Sequence, residues 1–478
     1  MSDAFELIEP FFTPPLDTDF RPAVLANHAF VAACKDSGQC EPLKIALVRA
    51  DGSVSTYETV CYSEGHPSFH ANMQYVERLV KFLLWQKGGW KVIIGGPQPV
   101  GEYIKGVYSA NGERAFDFEF MGGVYEHEFT VEITDAASVP DTKEDTMPLG
   151  RHLDGCRIGI DLGGSDYKLA AVNNGEAVWA DEFPWDPKTQ TDPAYHYERI
   201  MAGLKEAASK LPCVDAIGGS AAGVWINDRV RVASLFRGIP KDLFNSQVKD
   251  MFVKIGEEWG VPLTIVNDGE VTALAGSMDM GVNAVLGIAM GTSEAAGYVT
   301  PDGNITSWLN ELAFAPIDYS PNAPADEWSG DKGCGVQYFN QTGVARMAEA
   351  AGIEFEEGLG LPEKLVVVQK LMADGDERVV PIYETIGTWF GYALAHYADF
   401  YDVGYCLILG RATSGDGGQI ILSEAEKVLE GEFPELYDKI KLSIPDEKSR
   451  RTGQSVAAAS LPAIPKAKCG CGCGCGKG

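Results

Sequence analysis

Basic residues are scarce in this chain. Across 478 residues, 39 Lys+Arg face 68 Asp+Glu, a formal net charge of -29. Such a chain repels polyphosphates at long range, which argues against non-specific nucleic-acid binding and against docking on anionic membranes. No run of Lys/Arg is longer than a pair. No stretch reaches the ~18 uninterrupted apolar residues of a membrane span. The N-terminus, MSDAFELIEPFFTPPLDTDF, lacks the positive and apolar regions of a secretion signal, so a cytoplasmic location is expected. With only 7 His, no His-based metal site is expected. No Gly-x-Ser-x-Gly elbow occurs, so a serine hydrolase has no local support.

What is present suits a large globular chain. Hydrophobic residues make up 45%, enough for a sizeable core, and the length suggests about three units. The 11 cysteines fall into two groups. Cys34, Cys40, Cys61, Cys156, Cys213, Cys334 and Cys406 are scattered and read as reduced thiols of a cytosolic protein. Cys469, Cys471, Cys473 and Cys475 alternate with glycine at the end. Residues 462–478 are read as a disordered tail, because Pro, Ala, Lys and Gly cannot build a core. The tail is open to two readings, a metal-thiolate or redox-sensitive segment and a neutral low-complexity extension.

Residues 1–40 carry few periodic signals and are read as wrapping over a neighbouring domain. KIALVRADGSVSTYETVCY then reads as strand, Asp-Gly turn, strand. Asn72 to Gln86 has a helical rhythm. KVIIGGP reads as a buried strand, and GERAFDFEFMGGVYEHEFTVEI as further strands. The polar stretch 137–150 is the predicted linker. Residues 1–150 therefore form an additional acidic α/β domain of unknown role, with 11 Lys+Arg against 22 Asp+Glu. A second block from Arg157 repeats the first at low resolution. Either the two are duplicates, in which case they superpose, or both follow a rhythm common to α/β units.

Four motifs carry chemistry. In Arg157-Ile-Gly-Ile-Asp-Leu-Gly-Gly-Ser-Asp-Tyr-Lys168 an apolar strand delivers Asp161 and then a glycine turn. Gly163 and Gly164 let backbone N–H groups approach an anion, Ser165 adds a hydroxyl, and Lys168 adds a charge. Asp161 suits Mg2+ held through water. The bland reading is a plain hairpin. In Leu263-Thr-Ile-Val-Asn-Asp-Gly-Glu270, Asn267 and Asp268 stand at a strand's C-terminal edge. Asp268 there is either a general base or a helix cap. Gly291, Thr292 and Ser293 form a second candidate phosphate turn. Gly410 opens a third glycine-rich segment after the strand Tyr405-Cys-Leu-Ile-Leu.

The order of these motifs resembles the actin/hexokinase/Hsp70-type ATPases and, among them, the ROK family of sugar kinases, repressors and related open reading frames. The resemblance covers roughly residues 155–461. It implies an α/β architecture of two ribonuclease-H-like lobes, here preceded by the extra α/β domain. Residues 155–275 would be the first lobe, and 276–461 the second lobe with a returning C-terminal helix. It implies ATP and Mg2+ as cofactors and an ATP-dependent transfer to a sugar hydroxyl. Asp161 to Ser165 and Gly291 to Ser293 would hold phosphates, and Gly410 would start the adenosine motif. Asp268 would be the base. Ser220, Gly223, Asn267 and Glu311 would contact a sugar or sugar-like small molecule. Relatives are commonly dimers or tetramers, which suggests a homodimer.

The departures matter as much. Phe314 stands where the family has a sugar-orienting His. The zinc cluster is reduced to Gly333-Cys334-Gly335, and one thiol cannot make a four-ligand site, so structural zinc is not expected. Val336 and Gln337 stand where a Glu is expected. Asp166 adds a negative charge beside the first phosphate turn. Together these keep a second reading alive, a sugar-sensing or regulatory protein without catalysis. An acidic α/β N-terminal region is a poor DNA-binding arm, so no nucleic-acid partner is expected. Two further groups have plainer readings. Asp326-Glu-Trp-Ser-Gly-Asp-Lys332 reads as an exposed loop rather than a sugar platform, and Tyr392, His396, Tyr397 and Phe400 read as core packing.

Overall fold

The computed structural model describes residues 5–144, 149–445 and 447–465. The Cys-Gly repeat lies outside the described residues. No helix among the described residues is long and apolar enough to cross a membrane.

Strands β1 (Cys40–Val48) and β2 (Val54–Tyr62) make the hairpin foreseen around Asp51-Gly52. β1 pairs antiparallel with β3 (Lys91–Gly95), and β3 pairs parallel with β4 (Thr130–Thr134). The order is β2-β1-β3-β4. Helix Ala71–Lys87 follows the hairpin as expected. Two local expectations fail. Residues Ala23–Asp36 form a helix that the weak periodicity concealed, burying Val24, Phe30 and Cys34. Ala115–Tyr125 is a helix, not a strand. Phe116, Phe118 and Phe120 alternate at strand spacing, but the buried positions Asp117, Met121 and Val124 follow the helical repeat.

The next sheet is built from β5 (Cys156–Leu162), β6 (Asp166–Asn173), β7 (Glu176–Pro184), β8 (Ala216–Ala221) and β11 (Leu263–Asn267). The first three form an antiparallel meander, and β8 runs parallel to β5. The order is β11-β8-β5-β6-β7. Strands β9 (Val224–Ile226) and β10 (Arg229–Val232) form a separate ribbon. The last sheet contains β12 (Val285–Met290), β13 (Glu294–Val299), β14 (Tyr405–Leu409) and β15 (Lys441–Ser443), in the order β13-β12-β14-β15. Here too the first strand makes a hairpin on one side and pairs parallel with a later strand on the other.

That shared order makes these two sheets the related pair. In the N-terminal sheet the first strand is antiparallel to the strand after its helix, whereas β5 is parallel to β8. The suggested duplication of residues 1–150 with the block from Arg157 therefore does not hold.

The chain divides into two compact units, at places other than the four segments expected. One contains Met1–Met147 with Asn267–Arg451, so the N-terminal region packs into the body of the later half. The other contains Pro148–Val266 with Thr452–Gly478. In the second unit, Ile158, Ile160 and Leu162 of β5 pack with Ile200, Leu204, Phe252 and Ile255. The opposite face of that sheet receives the returning helix Glu447–Ala459. A Cβ on Gly159 would stand 1.6 Å from Ser455 O, and one on Gly218 1.7 Å from Ala458 O. Only glycine admits so close an approach. In the first unit, helix Val380–Ala398 is buried along most of its length. Tyr392, His396 and Tyr397 belong to that core, as expected. Burial pushes the His396 imidazole down to about 4.

Candidate functional site

In the second unit, Asp161 sits near the end of β5, beside β8. The register pairs it with Ser220 on one side and Lys168 on the other. Ser220 Oγ donates to Asp161 Oδ1 at 2.7 Å. Ser220, expected to contact a substrate, has no exposed surface, and its hydroxyl is turned to Asp161. Burial, opposed by that hydrogen bond and by Lys168, raises the Asp161 carboxyl above its ordinary value.

The turn Gly163-Gly164-Ser165 follows. Ser165 Oγ donates to Asp166 Oδ2 at 2.8 Å, and Lys168 Nζ stands 3.6 Å from Asp166 Oδ1. Asp166 thus occupies two of the groups expected to meet phosphate. A cation that sequence reading missed approaches from another loop. Lys188 Nζ lies 2.7 Å from where a Cβ on Gly164 would stand. Trp185 fixes the turn, its indole donating to Gly163 O at 2.8 Å. Gly223 stands between β8 and the β9–β10 ribbon, with φ +111. Asp228 at the ribbon's tip accepts the Ile265 N–H at 3.0 Å, tying the ribbon to β11.

In the first unit, the parallel pairing of β12 and β14 aligns Ala289 with Leu409. Gly291 and Gly410 therefore leave the sheet side by side, though 119 positions apart in sequence. Gly410 has φ +105, and a Cβ there would lie 2.4 Å from Met290 O. Gly291 O accepts the Gln341 N–H at 3.0 Å, and Thr292 and Ser293 are exposed.

Asn267, not Asp268, caps helix Asp268–Met280: its Oδ1 accepts the Gly269 N–H at 2.7 Å. Asp268 Oδ1 also accepts from Gly269, at 3.1 Å. Around this helix start lies a group of acids. Glu270 is buried and accepts from Asn310 Nδ2 and from the Tyr298 N–H. Asn310, in the left-handed region at φ +49, accepts in turn from the Tyr401 hydroxyl at 2.7 Å. Burial, then the Asp268 carboxylate, pushes Glu311 up to about 7. Burial pushes Glu270 and Glu294 each up to about 8. Glu294 was not foreseen. It is 3% exposed, and its Oε2 lies 2.2 Å from where a Cβ on Gly335 would stand. A carboxyl from β13 thus comes beside Gly335, next to Val336 in the sequence. The signal was an acid among small residues in Ser-Glu-Ala-Ala-Gly.

Phe314 follows on the same segment and stacks on Trp85 of helix Ala71–Lys87. Cys334 is buried, and its nearest polar partner is Asp331 Oδ2 at 3.7 Å. Asp331 belongs to a buried ion-pair network with Arg78 (3.1 Å), Arg114 (2.7 Å) and Lys81 (3.7 Å). Glu77 and Asp117 balance these cations. In the 326–332 loop, Trp328 is exposed as expected, while Asp326 and Asp331 are buried structural acids.

No protein-family model matches the chain, and no curated protein does. Solved structures do. A ROK hexokinase from Thermus thermophilus is 19% identical, with a TM-score of 0.50, over 64% of this chain and 96% of its own. A ROK glucokinase from Streptomyces griseus, solved with glucose and AMPPNP, is 19% identical, with a TM-score of 0.47, over 64% of this chain and 98% of its own. A ROK-family transcriptional regulator is 17% identical, with a TM-score of 0.48, over 65% of this chain and 78% of its own. Over about two-thirds of its length, the chain has the two-lobed actin/hexokinase-type fold of the ROK proteins.

Proposed function

We propose that this chain transfers a phosphoryl group from ATP to a hydroxyl of a sugar or sugar-like molecule, with Asp268 as general base. The observation that carries this reading lies within one compact unit. Asp268 heads a helix laid on β13, its charge is felt by Glu311, and Gly291 and Gly410 emerge together from the neighbouring strands. A carboxylate near a second carboxyl that burial leaves partly protonated at neutral pH suits the two tasks of holding a hydroxyl and taking its proton.

The chain's residues fit Mg-ATP. Asp161 offers a hard oxygen donor held in place by Ser220, as Mg2+ prefers. Lys188 supplies positive charge at the first turn, and the exposed hydroxyls of Thr292 and Ser293 stand at the second. Gly410 leaves open the space a side chain would fill. When bound, Mg-ATP supplies the phosphoryl group and neutralises its charge. The protein orients the sugar through Glu311, takes the hydroxyl proton on Asp268, and places cations and hydroxyls along the phosphates. Glu294 supplies a carboxyl on the side where Val336 offers none.

A second reading, a sugar sensor without turnover, is favoured by Asp166, which engages both Ser165 and Lys168. The two are separated by mixing the full chain with Mg-ATP and a panel of sugars. Sugar-dependent ADP release, lowered about 10³-fold by Asp268→Asn with nucleotide affinity retained, is the expected result. Tight sugar binding without ADP release from any sugar would favour the sensor.

A further inference from the structure

Helix Ala71–Lys87 ends at Gly88, which takes φ +73 and donates its N–H to Leu84 O at 2.9 Å. Two lysines of this helix meet different surroundings. Lys81 is fully buried, 2.7 Å from Asp117 and 3.7 Å from Asp331, so its charge is already matched. Lys87, the last residue of the helix, is partly exposed and meets an aromatic face instead. Its Nζ stands 2.9 Å from the centre of the Trp308 ring. Trp308 is itself held in place. Its indole N–H donates to Glu144 Oε2 at 3.0 Å, and Tyr298 stacks on it at 5.6 Å with an interplanar angle of 9°. Glu144 in turn stands 3.6 Å from Arg49.

Lys87 and Trp308 line a cleft of about 250 Å³. Tyr57, stacked on Phe400 at 5.1 Å, gives it an apolar wall, and Ser55, Thr56 and Thr142 bring hydroxyl-bearing residues to it. The cleft shares Tyr57, Asp399 and Phe400 with a neighbouring cleft of about 580 Å³, which leaves a small molecule room to approach. Ligand pockets commonly enclose about 300–1,000 Å³, so the smaller cleft suits a ligand of few atoms. The charges around Lys87 are those of Glu144, Arg49 and Asp399, and Asp399 is bound to His28 at 2.9 Å. Burial lowers the Lys87 amine to about 7, against the pull of Glu144 and with the push of Arg49. A desolvated amine in its neutral form is a nucleophile toward carbonyl carbon. The proposed phosphoryl transfer makes no use of it.

We propose that Lys87 is an imine-forming site for a small hydroxylated aldehyde, the open-chain form of a short sugar, seated in the cleft between β2, Phe400 and Trp308. The neutral amine attacks the carbonyl carbon, a C–N bond forms, and the carbonyl oxygen leaves as water with the two hydrogens of the nitrogen. No oxidant or reductant enters. The hydroxyl-bearing residues face the hydroxyls of the ligand, and the aromatic wall keeps the amine out of bulk water. The site does not depend on the proposed kinase activity. It does lie close to that machinery, because Gln86, the residue before Lys87, accepts the Asn310 N–H on its carbonyl at 2.9 Å.

The test mixes the full chain with glyceraldehyde, adds cyanoborohydride to reduce any imine to a stable secondary amine, and maps the labelled peptides by mass spectrometry. At pH 7, Lys87 should be labelled at least about tenfold faster than exposed lysines such as Lys427 and Lys439, since an ordinary lysine amine is almost wholly protonated there. The rate at Lys87 should saturate with glyceraldehyde concentration. Propionaldehyde lacks the hydroxyls, and with it the ratio of Lys87 to exposed-lysine labelling should fall at least about threefold, the scale of one hydrogen bond. Lys87→Arg keeps a cation at the indole and should lose the fast labelling while the slow labelling of exposed lysines persists. Labelling of Lys87 no faster than that of exposed lysines, a rate that rises without saturation, an equal ratio for the two aldehydes, or fast labelling that survives Lys87→Arg overturns the proposal.

Discussion

Phe314 stacks on the indole of Trp85, with ring centroids 4.3 Å apart and an interplanar angle of 27°. Phe314 belongs to the segment that carries Glu311, and Trp85 to a helix of the N-terminal region. The backbone follows suit. The Asn310 N–H donates to Gln86 O and the Glu311 N–H to Trp85 O, both at 2.9 Å. The N-terminal region thus forms the wall behind the proposed sugar segment.

Trp85→Ala should therefore do more than open a cavity. Deleting a buried Trp costs about 3–5 kcal/mol. Asp117, which accepts the Trp85 indole N–H, keeps Lys81 as its partner. Thermal unfolding should report the loss of stability. Steady-state kinetics should show KM for the sugar rising more than KM for ATP. Equal changes would mean that the wall is structural only.

Glu270 and Glu294 are pushed from their ordinary 4.5 to about 8. The folded chain holds these protons more tightly than the unfolded chain does. Their stabilising contribution is complete below about 4.5 and is lost as pH rises through about 8. Glu294→Gln, which cannot ionise, should be near neutral at pH 5. At pH 8.5 it should raise stability by a few kcal/mol, on the order expected for a buried carboxyl forced to charge. Denaturant unfolding at the two pH values checks the sign. A variant that loses stability equally at both would refute it.

Lys188 stands over the first glycine turn, its Nζ 2.7 Å from where a Cβ on Gly164 would be. Lys188→Met should weaken nucleotide binding about tenfold, the scale of one charge-assisted hydrogen bond. Its melting temperature should stay within a degree or two of the unaltered chain. Calorimetric titration with a non-hydrolysable nucleotide, repeated at high salt, reads the effect.

Gly410→Ala places a methyl group 2.4 Å from a backbone oxygen at a positive φ. Neither the β12 carbonyl nor the backbone at 410 can yield cheaply, so a loss of about 1–3 kcal/mol is expected. Nucleotide affinity should fall with it. Gly415→Ala is the control: its φ is +71, but a Cβ there meets nothing within 4 Å. It should cost less.

Much of the fold was legible because it is local. The hairpin at Asp51-Gly52, the helix Ala71–Lys87 and the order of glycine turns after buried strands all follow from periodicity and turn chemistry. The helix at 115–125 was misread because phenylalanines at alternate positions imitate a strand, while the burial of Asp117 against Lys81 is a tertiary fact. The partner of Ser220 was hidden for a similar reason. The family resemblance placed Ser220 near a substrate, whereas the register turns its hydroxyl toward Asp161.

The sequence by itself determined the acidic surface, the strand-turn units and the residues able to meet phosphate, because each depends on composition or near neighbours. Only the tertiary structure decided which of them share a place. Parallel pairing sets Gly291 beside Gly410 and the start of β5 beside Asp215, and packing sets Glu294 beside Gly335. Such neighbours are joined by strand pairing and packing across long stretches of chain, and no local pattern encodes that distance.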